Sequence, residues 1–142
     1  MDPDLLSAVL IGRALSGELI LKFTLLVVLL ICSGLISGAE VAFFGLSQTD
    51  VNELKNNATS KGDIIFRLLE KPKKLLATIL IANNAINIGI VLLLNDMGDT
   101  LFEGIDQVYL GFISGRFVLE VVLATFIILL FGEILPKIYA NR

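Results

Sequence analysis

Three runs of about 20 apolar residues, each nearly free of charge, decide what this chain can fold into. A run of that length crosses the roughly 30 Å hydrocarbon core of a bilayer as a helix. Phe23 to Leu46 holds one acid, Glu40, after 17 uncharged residues. Leu75 to Leu94 is uncharged throughout, and Phe117 to Ala140 is interrupted only by Glu120, Glu133 and Lys137. No other stretch qualifies. Leu5 to Leu15 is too short and carries Arg13, and Asp2 and Asp4 stand where a signal peptide has its basic residues. A short interfacial helix or a frayed tail is expected there. With 56% apolar residues and a mean hydropathy of +0.87 over 142 residues, the chain has more apolar surface than one small soluble core hides. The expected fold class is an all-α membrane protein with three transmembrane helices.

The basic residues set the expected orientation, because Lys and Arg are retained in cytoplasmic loops. The first connection holds Lys55, Lys61, Arg67, Lys71, Lys73 and Lys74. The second holds only Arg116, beside Asp96, Asp99, Glu103 and Asp106. The first is therefore expected inside and the second outside, with the N-terminus outside and the C-terminus inside. Within 47–74, Ser47 with Asp50 and Ser60 with Asp63 have the Ser-x-x-acid spacing of a helix start. Ile64, Ile65, Leu68 and Leu69 follow at helical spacing. Two short juxtamembrane helices along the inner leaflet are expected, with Pro72 in the first turn of the second span, where its missing N–H costs nothing. Asn95 to Arg116 reads as a solvated acidic loop, apolar enough between Leu101 and Ile113 for a short helix dipping into the interface.

Composition excludes much chemistry. There is no histidine, which removes most zinc, haem and Ser-His-Asp sites. Cys32 is the sole cysteine, so no intramolecular disulfide or cysteine cluster can form. A net charge of −3 without a basic run argues against nucleic acid. What remains is oxygen chemistry inside the spans. The first span carries Ser33, Gly34, Ser37, Gly38 and Glu40, the second Asn83, Asn84 and Asn87, the third Gly132, Glu133 and Pro136. Ser33 and Ser37 stack on one helix face, as do Asn83 and Asn87. Gly34 and Gly38 form a G-x-x-x-G packing pattern. The serines fit either close packing, with their hydroxyls bonded back to the previous turn, or ligation; the three asparagines describe an interior polar surface.

Glu133 is the sharpest of these features. A carboxylate in a span costs about 2.5–3.5 kcal/mol on insertion scales and requires a cation, a proton or water. Lys137, four residues on, could supply an ion pair. Pro136 adds a second feature: it has no N–H for the carbonyl of Gly132, four residues back, and bends the helix there. Broken helices with free carbonyls are a recurring transporter device. Counting residues at about 1.5 Å each places these groups between the midplane and the inner leaflet. Such hard oxygens suit Mg²⁺, Ca²⁺, Mn²⁺ or Na⁺, and the residues alone do not choose among them.

At these positions the chain resembles the transmembrane domain of the CNNM (cyclin M)/CorB/CorC magnesium transporters. The resemblance rests on Ser33-Gly34-Leu35-Ile36-Ser37-Gly38-Ala39-Glu40, on Ala82-Asn83-Asn84-Ala85-Ile86-Asn87, and on Phe131-Gly132-Glu133-Ile134-Leu135-Pro136-Lys137. It covers about 23–142, leaving 1–22 as an external N-terminal segment. It implies a homodimer in the plasma membrane or bacterial inner membrane. It also implies a dehydrated Mg²⁺ in an inward-facing cavity and Mg²⁺ efflux coupled to Na⁺ influx. The implied ligands are Ser33 or Ser37, Asn83, Asn87, the Gly132 carbonyl and Glu133, with Asn84 and Glu40 secondary. Glu40 carries less weight because animal members lack an acid there; snorkelling to the inner interface is the alternative. Family members continue into cytosolic CBS domains that bind ATP, so the chain reads as a membrane domain without them. The rival to a transporter is a non-transporting anchor or magnesium sensor. No enzymatic activity is expected, since a membrane serine protease would here need a Ser–Lys dyad and Lys137 lies near a neutralising glutamate.

Overall fold

The computed structural model describes residues 2–14, 16–57, 59–103, 105 and 109–142. Its elements are α1 (Pro3–Ala14), α2 (Gly17–Phe44), α3 (Gln48–Asn56), α4 (Ser60–Leu69), α5 (Pro72–Leu101), β1 (Tyr109–Leu110), β2 (Ile113–Ser114), α6 (Gly115–Ile127), a π-helical segment (Ile128–Ile134) and α7 (Leu135–Ala140). Three helices are long and apolar enough to cross a membrane: α2, α5, and the continuous rod from Gly115 to Ala140. The expected spans are all present, and each helix is longer than its apolar run. Charge ended those runs on paper, but helices end at caps. Ser16 starts α2 by accepting from the Leu19 N–H, and Ser114 starts α6 by accepting from the Phe117 N–H. The Lys22 ammonium near the start of α2 meets Glu18 and Asp96, each at 2.7 Å, so the helix accommodates its own charges.

Contacts between the rods fix their directions. Lys22 of α2 meets Asp96 of α5, and Ser33 meets Asn83 and Asn87, so these helices are antiparallel. Gly34 lies against Phe131 and Pro136, and Gly38 against Pro136 and Ala140, so α2 and the third rod run the same way. The buried residues of α2 (Leu19, Leu26, Ser33, Ser37) recur at intervals of seven and four, which places them on one stripe. Contacts between the rods fall into three layers. Toward the hairpin end, Arg116 bonds Glu120 at 2.7 Å and also pairs with Asp99, while the Asn95 carboxamide donates to Glu120 at 3.1 Å. The middle layer is apolar: Leu26, Ile90, Leu94 and Ala124, flanked by Leu29, Ile86 and Ile127. The third layer, toward α3 and α4, holds the serines and asparagines.

Both short helices expected between the first two spans are present. Ser47 and Asp50 form the expected reciprocal cap: the Ser47 hydroxyl accepts from the Asp50 N–H at 3.2 Å, and the Asp50 carboxylate accepts from the Ser47 N–H at 2.9 Å. The second cap falls one residue earlier than expected. Thr59, not Ser60, accepts from the Gly62 N–H, and Asp63 instead pairs with Arg67 at 3.2 Å. Adjacent hydroxyl residues can each serve this role, and the Thr59 backbone is the extended one a cap requires. Pro72 occupies the first turn of α5 as expected.

The Ser47 hydroxyl and N–H hold the Asp50 carboxyl below its ordinary range. A lowered pKa contributes stability that is present above the ordinary carboxylate range and lost as pH falls through the lowered value. Protection of the Gln48–Asn56 amides, measured against their intrinsic exchange rates, is therefore expected to fall only under acid. Asp50→Asn is expected to show the faster exchange already at neutral pH; equal exchange in the two proteins at pH 7 would contradict the cap's contribution.

In place of a helix dipping into the interface between Leu101 and Ile113, the described residues show α5 running on to Leu101 and an antiparallel hairpin that pairs Tyr109 with Ser114 and Leu110 with Ile113. Gly111, at φ +74°, is the first of two central turn residues, the position where a two-residue hairpin loop favours glycine. Its neighbour Phe112 is 96% exposed. Asp106, part of the acidic loop, lies outside the described residues.

Candidate cation site

Three helices bring their polar groups together around Ser33, which is fully buried. Its hydroxyl oxygen lies 3.0 Å from Asn83 Oδ1 and 3.0 Å from Asn87 Oδ1. The four-residue spacing of the asparagines puts both carboxamides on the face of α5 that meets α2. A hydroxyl has a single proton, so it can donate to only one of the two acceptors at a time. The second carbonyl oxygen then faces a lone pair, an arrangement that a cation relieves. Ser37, one turn along and 1% exposed, has an oxygen with no hydrogen-bond partner. An orphaned buried hydroxyl costs about 1–3 kcal/mol.

The third rod approaches because Gly132 has no side chain. A Cβ there would lie 2.8 Å from the Ser33 hydroxyl oxygen. The Gly34–Gly38 face is likewise used within the chain: a Cβ on Gly34 would meet Pro136 Cγ at 3.1 Å and the Phe131 carbonyl at 3.3 Å. The small residues thus bring the kinked part of the third rod against the serines.

That part is a π-helix rather than a simple proline kink. The Leu135 N–H donates to the Leu130 carbonyl, five residues back. In an α register the missing Pro136 N–H deprives Gly132. In this wider register it deprives Phe131, whose carbonyl faces Gly34. Both carbonyls lie at the turn that precedes Pro136, beside Glu133. Single π turns inside α-helices concentrate at functional sites. The sequence carried no direct signal for the Phe131 carbonyl.

Glu133 is half-buried and has neither a hydrogen bond nor an ion pair among the described residues. The lysine expected to neutralise it is engaged elsewhere: Lys137 Nζ lies 3.4 Å from Glu40 Oε2. Glu40 thus forms an interhelical pair with Lys137 near the α3–α4 end. Asn84 stands apart from the cluster, exposed on another face of α5. Among the described residues there is no group of three or more His, Cys, Asp and Glu that could hold a metal. Any cation here would be held by neutral oxygens and one carboxylate.

This geometry coincides with a family assignment. The cyclin M transmembrane N-terminal domain matches residues 24–142. The chain belongs to that family. The cyclin M domain therefore accounts for all three spans, and the protein is a multi-pass membrane protein. A UPF0053 protein of Haemophilus influenzae is 30% identical over 118 residues, which cover 83% of this chain and 26% of that protein. The cyclin M domain described here spans about a quarter of that relative's length.

Proposed function

We propose that the chain carries Mg²⁺ across a membrane, taking the dehydrated ion between Ser33, Asn83, Asn87, Glu133 and a carbonyl of the π-helical turn at Gly132, with Ser37 as a further oxygen. The observations that carry this reading are three oxygens that share one proton, packed against Gly132, and a carboxylate without its own cation on the next residue, Glu133. Mg²⁺ takes oxygen ligands at about 2.0–2.1 Å in an octahedron, whose edges are then about 2.8–3.0 Å. The serine–asparagine oxygen separations of 3.0 Å are hydrogen-bond distances that such an edge also accepts. The equatorial edge of a pentagonal-bipyramidal Ca²⁺ site is about 2.7–3.1 Å, so the choice of Mg²⁺ rests on the family resemblance and is tested by the flux comparison below. When no ion is bound, either carboxamide can turn over to present its NH₂ to Ser33, so the site need not collapse. A single carboxylate keeps affinity modest, which suits release.

The lysine-rich α3–α4 connection lies in the cytoplasm in this reading, with the hairpin outside, the N-terminus outside and Arg142 inside. The ion site then sits about 16 Å from the Phe44 end of α2 and about 24 Å from its Gly17 end, nearer the cytoplasm. Transport is efflux coupled to Na⁺ influx, and the working unit is a homodimer in the plasma membrane or bacterial inner membrane. Purified protein in liposomes tests this by ion-resolved flux, comparing Mg²⁺ with Ca²⁺ under imposed and abolished Na⁺ gradients. Saturable Mg²⁺ flux that follows the Na⁺ gradient is expected. Absence of flux for any hard cation would favour an anchor or sensor serving domains outside this chain.

A further inference from the structure

We propose that Glu40 sets how strongly Glu133 attracts the transported cation, as a positioning residue that holds the Lys137 ammonium away from it. Glu40 of α2 and Glu133 and Lys137 of the third rod all lie toward the α3–α4 end. Lys137 Nζ is 3.4 Å from Glu40 Oε2. Glu133 stands four positions before Lys137, about one turn away, within reach of a lysine's flexible four-carbon stem. It has no ion pair among the described residues. The ammonium thus has two carboxylates in range and rests on the one outside the ion site. Gly38 allows this pairing across the helices. A Cβ there would already lie 3.7 Å from the Pro136 carbonyl oxygen and 3.9 Å from the Ala140 Cβ, so α2 and α7 run close together beside the pair.

The lysine and the cation are alternatives for one carboxylate. An ammonium on Glu133 cancels the attraction that draws a divalent ion out of water, and it repels the ion directly. Glu40 itself stands back from the ion: it lies seven residues beyond Ser33, about 10 Å along α2, and its partner is Lys137. Nor does the pair serve chiefly to fasten the rods. The Glu40 side chain is 36% exposed and that of Lys137 41%, and pairs so open to solvent add little stability. The same exposure lets the lysine exchange between the two carboxylates. Its return to Glu133 displaces the cation, so the pair governs release as well as capture. This inference rests on the Mg²⁺ reading above and adds a control on the affinity of its carboxylate.

The test measures Mg²⁺ binding by the purified full chain, as the Mg²⁺ concentration giving half of the thermal stabilisation, together with KM and kcat for Mg²⁺ flux in liposomes. Glu40→Gln is expected to raise the half-saturating concentration and KM by about 10-fold, the lower end of what changes behind a metal ligand cost, while kcat holds. The cause is the released lysine, which turns to Glu133. Lys137→Gln is expected to bind Mg²⁺ at least as tightly as the unaltered chain and to release it more slowly, seen as a lower kcat. In the Lys137→Gln background, Glu40→Gln is expected to shift binding by no more than about 2-fold, since a partly exposed charge about 10 Å away is largely screened. An equal loss of binding on Glu40→Gln with and without Lys137 would overturn the proposal, by making Glu40 a ligand in its own right. Small equal losses of stability, with binding unchanged and no split between KM and kcat, would overturn it by showing a merely structural pair. Either result leaves Mg²⁺ transport standing, whereas an unaltered chain that neither binds Mg²⁺ nor carries it would overturn the transport reading itself.

Discussion

Glu133→Gln is expected to lower Mg²⁺ flux by about 100-fold or more while raising the thermal stability of the protein. The two halves of this result have separate causes. Loss of flux follows because Glu133 supplies the only formal negative charge among the proposed ligands, and a divalent ion leaving water needs that attraction most. Changes even in groups behind the ligands commonly cost about 10- to 100-fold in metal binding or activity, so a ligand's loss is expected to exceed that. Gain in stability follows because the carboxylate has no hydrogen bond or ion pair among the described residues. Removing its charge relieves an insertion cost of about 2.5–3.5 kcal/mol. A glutamate held as a structural ion pair would behave in the opposite way, losing stability on substitution. Flux and melting temperature measured on one reconstituted sample decide between them, and unchanged flux would remove Glu133 from the ion's path.

Ser33→Ala probes the same site from the other side. It deletes the oxygen between Asn83 and Asn87, leaving two half-buried carboxamides to find other partners, at up to about 1–3 kcal/mol. Reduced flux together with reduced stability is expected. The contrast with Glu133→Gln separates a group that also supports the fold from one retained for its charge.

Much of this architecture was legible because bilayer thickness imposes a length on any apolar run, and three runs met it. Helix-face spacing alone likewise puts Asn83 and Asn87 together. The reciprocal cap at Ser47 was legible because it needs only residues three apart. What escaped depended on distant partners or on backbone register. Glu40 and Lys137 lie on different spans, so local spacing favoured the nearer Glu133 as the lysine's partner. The π register has no local composition signal, and it alone decides which carbonyl Pro136 leaves without a donor. The hairpin did carry a signal in Gly111, but the apolar residues around it suit a helix equally well.

The second large effect is expected at the hairpin end, where α5 and α6 are held by a carboxylate lodged against a glycine. A Cβ on Gly98 would overlap Glu120 Oε1, lie 2.9 Å from its Cδ and lie 3.3 Å from an Arg116 nitrogen. The Glu120 side chain is 10% exposed and that of Arg116 15%, so this pair is largely withdrawn from water. Arg116→Ala leaves the buried carboxylate without its guanidinium, and breaking a buried pair from one side costs about 3–5 kcal/mol. Gly98→Ala forces Glu120 to shift, with an overpacking cost of about 1–3 kcal/mol. Asp99→Ala is expected to cost less than about 1 kcal/mol, because its side chain is 73% exposed and solvent screens its pairing with Arg116. The expected order of melting temperatures is therefore Asp99→Ala highest, then Gly98→Ala, then Arg116→Ala. Adding Glu120→Gln to Arg116→Ala is expected to recover much of the loss, since the second change removes the charge the first one strands. Equal losses for Arg116→Ala and Asp99→Ala would show that the guanidinium acts only at the surface, and that the Glu120 carboxylate does not need it.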